Sequence, residues 1–133
     1  MTTPLVRLFF QMLRESQPAR QIPGDYFRRY FADVALGLFV WYESDGSIHG
    51  FQLSYDLEND PRALTWRPRK GFSHSSIDDG EESVLSNRAP LLRPSSECDP
   101  IKIRADFIAS AKDLPALERS FVEAKLAEAA RAG

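Results

Sequence analysis

Gly71-Phe72-Ser73-His74-Ser75 sets a serine beside a histidine after a glycine, the local order of a nucleophile elbow. The closing glycine is missing. The segment also reads as a turn entering a strand, whereas an elbow requires a strand entering a helix. No nucleophilic serine is assigned. His74 is followed by Asp78, Asp79, Glu81 and Glu82, and His49 lies upstream. Imidazole and carboxylate together suit Zn or Mn. Their spacing matches no ligand pattern, and the chain has only two histidines, so neither metal nor other cofactor is expected. Cys98 sits in Ser96-Glu97-Cys98-Asp99, an acidic setting that raises a thiol pKa and argues against a nucleophile. Trp66-Arg67-Pro68-Arg69-Lys70 puts cations beside an indole at a turn, the components of base stacking and phosphate binding. A net charge of −2 provides no wider basic footprint, so nucleic acid is not the expected partner. Walker, dinucleotide-binding, HExxH, paired CxxC and EF-hand motifs are absent from the sequence.

The best remaining candidate is a sheet face. Leu36 to Glu43 and Ile48 to Asp56 flank Asp45-Gly46, a strong hairpin signal. A two-residue type I′ turn pairs Tyr42 with His49, Trp41 with Gly50, Phe39 with Gln52 and Gly37 with Ser54. Alternation then sets Leu36, Leu38, Val40, Tyr42, His49, Phe51, Leu53 and Tyr55 on an apolar core face. Phe39, Trp41, Gln52 and Ser54 share the other face, with Asp56 at its end. The indole of Trp41 has room over the bare backbone of Gly50. Aromatics with a few placed polar groups are the material of ligand pockets and interfaces. The alternative use is a second core layer under a helix.

The elements that must position this face follow from period and punctuation. Thr3-Pro4 opens a helix over 4–15, which Pro18 ends. Tyr26, Phe27, Tyr30, Phe31 and Val34 recur at helical spacing and predict a second helix from Gly24-Asp25 to Asp33. Strands are expected over 63–67 and 72–77. The run 78–100, rich in acids, serine and proline, is a long connection in which Val84-Leu85 and Leu91-Leu92 are possible anchors or short edge strands. Helices follow over 101–112 and, capped by Asp113 with Pro115 in its first turn, to the C-terminus. The expected fold class is α+β: an antiparallel meander of about four strands with N-terminal and C-terminal helices packed on it.

The 133 residues are expected to make one domain, 1–133, able to bury a core without a disulfide or metal. One cysteine fits a reducing compartment. No spanning segment or signal peptide is read, so the expected location is the cytoplasm and no membrane partner is expected. The leading functional expectation is a non-catalytic binding or protein-interaction module, with self-association through the apolar N-terminal segment. The rival is a small-ligand-binding protein or enzyme with a pocket on the Trp41/Gln52/Ser54 face, extended by Trp66 and His74.

Overall fold

The computed structural model of the chain describes residues 12–16, 18–78, 91–94 and 98–132. The fold is α+β. Seven strands form one antiparallel meander whose spatial order is the chain order. They are β1 (Arg14–Glu15), β2 (Phe27–Ala32), β3 (Gly37–Tyr42), β4 (Ile48–Tyr55), β5 (Arg62–Arg67), β6 (Gly71–Asp78) and β7 (Leu91–Pro94). β1 is a two-residue edge, so six longer strands carry the sheet. Two helices follow, α1 (Pro100–Ser110) and α2 (Ala116–Ala132).

The sheet is larger than the four strands expected, and the helix expected over 25–33 is strand β2. Its aromatic-rich sequence, Phe-Arg-Arg-Tyr-Phe-Ala, suits a pleated, half-buried surface. Phe31 enters the core, whereas Phe27 and Val34, two members of the helical stripe, are exposed. Leu91-Leu92 begins edge strand β7. Most of the helix expected over 4–15 lies outside the described residues, as do Val84-Leu85, Asp79, Glu81 and Glu82; residues 14 and 15 form β1.

Both helices pack on one face of the sheet. Ile103 and Phe107 of α1, and Val122 and Leu126 of α2, close over Phe31, Leu38, Val40, Phe51, Leu53 and Leu64. α1 starts cleanly because Asp99 accepts a hydrogen bond from the Lys102 amide and Pro100 occupies the first turn. Asp113, expected to cap α2, instead pairs with Arg14 of β1 at 3.0 Å. A buried polar clasp joins sheet to helix. The Tyr42 hydroxyl donates to Glu118 at 2.7 Å, and Arg29 bridges Glu118 and Glu15. Burial and the Glu118 carboxylate push the Tyr42 phenol well above its ordinary pKa. Among the described residues no helix is long and apolar enough to cross a membrane.

The β3–β4 hairpin has the expected pairing from Trp41 opposite Gly50 to Gly37 opposite Ser54. Its tip differs. Asp45 does not take a positive φ, but Gly46 does, at 90°, and a type I′ turn needs both. The Gly46 amide instead bonds to the Glu43 carbonyl, and the Glu43 amide to the Ser47 carbonyl. This is a three-residue loop ending in a left-handed glycine. The Asp45 carboxylate fixes it by accepting from both the amide and hydroxyl of Ser47. A bulge between Trp41 and Tyr42 then pairs Tyr42 with Ile48. Ile48 packs against the core, and His49, expected there, leaves it. The His49 ring stacks on Tyr26 at 3.7 Å and its Nδ1 meets Glu43 at 2.7 Å.

Candidate functional site

The second sheet face is built across β2 to β5. Register sets Arg28 beside Trp41 and Trp41 beside Gly50. Gly50 lies against β5, where an added Cβ would come within 2.5 Å of the Trp66 carbonyl and 3.5 Å of Arg67 Cα. Without that Cβ, the Trp41 indole and the Arg67 guanidinium meet at 4.1 Å. The Arg28 guanidinium stands 5.9 Å from the same indole and 5.5 Å from the Phe39 ring. An arginine therefore flanks Trp41 on each neighbouring side of the row. Phe39 pairs with Gln52 and Gln52 with Thr65 in the adjoining row. Ser54, Ala63 and Ser75 continue the face beyond it as small buried side chains.

This face is buried although, among the described residues, neither helix packs on it. Trp41 is 1% exposed, Arg28 2% and Gln52 3%. Polar atoms in such surroundings are normally satisfied. Here, among the described residues, Arg28 Nε and Nη1, Trp41 Nε1 and Gln52 Nε2 have no hydrogen-bond partner. Arg28 uses its remaining nitrogen on Asp25, at 2.6 Å. Gln52 accepts from the Thr65 hydroxyl at 3.3 Å through its oxygen, which leaves its amide nitrogen unpaired. Among the described residues no carboxylate pairs with Arg67. Its side chain also lines a surface cleft with Tyr26, Glu43, His49 and Lys70.

The sequence-derived candidates are thus divided. Phe39, Trp41, Gln52 and Ser54 share the donor-rich face. Trp66 and His74 do not join them. They lie on the helix-bearing face, because Trp66 pairs with Phe72 and His74 with Leu64 in the alternate register. Trp66 meets the Phe121 ring edge-on and carries the Lys125 ammonium 4.2 Å from its own ring. Its ring faces are thus engaged by helix α2. His74 Nε2 hydrogen-bonds the Tyr55 hydroxyl. The described residues hold no cluster of three or more metal-ligating side chains. Cys98 borders the sheet's helix side, where burial first and Asp99 second push its thiol up.

Arg28 and Arg67 were missed as site residues. A helical reading of 25–33 turns Arg28 and Arg29 outward together, whereas strand alternation separates them and brings Arg28 to Trp41. Within the Trp66–Lys70 turn, Arg67 has no assigned face. The β5 alternation Thr65, Trp66, Arg67 was the available signal, since it puts Arg67 on Thr65's face. No protein-family model, curated protein or solved structure matches the chain.

Proposed function

We propose that this protein is a non-catalytic binding module that takes a small molecule on the β2–β5 face, held by hydrogen-bond acceptors of that molecule. The observation that carries the proposal is the clustering of the buried unpaired atoms: of the five among the described residues, four are N–H-bearing nitrogens of three neighbouring side chains on this face, and the fifth is Arg104 Nε on α1. An unpaired buried donor costs about 1–3 kcal/mol. Arg28, Trp41 and Gln52 together impose several kcal/mol on the unliganded fold, which an acceptor-bearing ligand relieves. The depth of burial favours a small molecule over a broad protein surface, because a docking face must present its side chains to the partner. No serine, cysteine or histidine stands in the row, so the proposal assigns recognition and not catalysis.

The test is a thermal-shift screen of a small-molecule fragment library against the full chain and its Arg28→Met variant. Stabilising compounds are expected to carry exposed acceptors and to lose their effect in the variant. Stabilisers that act equally on both proteins would overturn the assignment to this face.

A further inference from the structure

The donor set also selects the chemistry of the ligand. Resting on the binding proposal above, we infer that the ligand is a monocarboxylate with an apolar body. An alcohol or amide brings a donor of its own into a place where the unpaired atoms are all donors. A carboxylate brings two oxygens that only accept, and its bonds to N–H groups are charge-assisted. Charge counts the same way. Arg28 and Arg67 supply two positive charges and Asp25 returns one negative charge. The cleft that Arg67 also lines adds Arg69, Lys70 and Glu43, so the surroundings stay net cationic and favour an anionic end group. The surroundings fix the rest of the molecule. Phe39, Trp41 and Ala63 offer rings and a methyl group, with the Tyr30 ring against Phe39, and the polar groups among them are the Gln52 amide and the hydroxyls of Ser54, Thr65 and Ser75. Arg67 is at once on the Trp41 ring and on the wall of the outer cleft, so the carboxylate end lies at the Arg28–Trp41–Arg67 row.

The experiment is calorimetric and thermal-shift titration of the full chain with octanoate, benzoate, 1-octanol, octylamine, inorganic phosphate and a hexapeptide with a free C-terminus. Octanoate and benzoate are expected to bind saturably and to raise the melting temperature. The alcohol, amine and phosphate should bind at least tenfold more weakly. Arg67→Met, at a half-buried position, is expected to weaken octanoate roughly tenfold, and Trp41→Phe about fivefold, since each removes donors to the carboxylate. Neither should change any residual affinity for 1-octanol by as much. Binding of 1-octanol or phosphate as tight as octanoate, with sensitivity to Arg28→Met, overturns the carboxylate and leaves the binding module standing. Tighter binding of the hexapeptide overturns the small-molecule source. Octanoate binding indifferent to both Arg67→Met and Trp41→Phe overturns the location. If none of the six probes binds, both the carboxylate and the binding module fall.

Discussion

Arg28→Met is the perturbation that best separates a ligand-binding arginine from a structural one. Arg28 is almost wholly buried and, among the described residues, makes one ion pair, from Nη2 to Asp25 Oδ2 at 2.6 Å. Losing that charge-assisted bond removes roughly 1.5–3 kcal/mol. Losing the guanidinium from beside Phe39 and Trp41 removes about 1–2 kcal/mol more. Against this, the substitution abolishes two unpaired buried nitrogens, each costing about 1–3 kcal/mol. The abandoned Asp25 is about one-third exposed, so water can solvate it. Methionine keeps much of the stem's volume and fills irregular space well. The opposing terms are of equal size, so the net change in unliganded stability should stay within about 1.5 kcal/mol. For 133 residues 1 kcal/mol corresponds to roughly 3.5 °C in melting temperature, so the expected shift is under about 5 °C. A fully satisfied buried arginine, by contrast, costs about 3–5 kcal/mol when one partner of the pair is removed. Urea denaturation of both proteins without added ligand, checked by calorimetry, measures the difference. A loss above about 3 kcal/mol would refute the idea that Arg28 is held unsatisfied in the unliganded fold.

The remaining predictions concern the frame that holds this face. Glu118→Ala should destabilise by about 2–3 kcal/mol, because it strands the buried Tyr42 hydroxyl; a double-mutant cycle with Tyr42→Phe should return a coupling near 1–2 kcal/mol, and additivity would contradict the clasp. Burial raises the Tyr30, Tyr42 and Tyr55 phenols, Tyr55 to about 12. The fold therefore favours their neutral forms: that stability is whole below pH 10 and is lost as pH climbs through about 12, which denaturant midpoints and phenolate absorbance should register together. Gly46→Ala should cost about 1 kcal/mol from backbone strain alone, since its φ is +90° and nothing lies within 4 Å of the added methyl; an unchanged melting temperature would contradict the left-handed loop. Gly50→Ala should be far worse, because its methyl meets the Trp66 carbonyl at 2.5 Å on an interior strand.

The parts of this architecture legible in the sequence were those set by local rules. Val40, Leu38 and Phe51 alternate strictly, so the core face of the central hairpin and its pairing from Trp41 outward follow from period two. Strands β5 and β6 and both C-terminal helices follow from the same kind of periodicity. The failures came where two local signals competed or where charge ceased to mark the solvent side. Asp-Gly fits both a two-residue and a three-residue loop, and the bulge at Trp41 and Tyr42 decides which of Ile48 and His49 enters the core. In β2, Arg28 and Arg29 have opposite fates. Arg29 bridges Glu15 and Glu118 beside the helix-bearing face, and Arg28 turns inward on the other. Two adjacent arginines on an aromatic-rich segment read as the polar side of a helix unless their distant partners are known.

That inward arginine is also what distinguishes the second face from an ordinary second core layer. A layer serving stability alone would place apolar side chains at the positions of Arg28, Gln52 and Thr65, because replacing buried polar groups by apolar ones of similar shape is neutral or stabilising. Here the substitutions run the other way on β2, β4 and β5, and beyond the single Thr65–Gln52 hydrogen bond these polar side chains do not satisfy one another. Gly50 reinforces the point. It weakens an interior strand, yet its bare backbone lets Arg67 reach the indole. The helix-bearing face already supplies an extensive apolar core, so the fold can carry the destabilisation of the other. Unpaired donors of one kind, gathered around one indole and flanked by two guanidiniums, are coherent as a receptor for an acceptor and incoherent as packing.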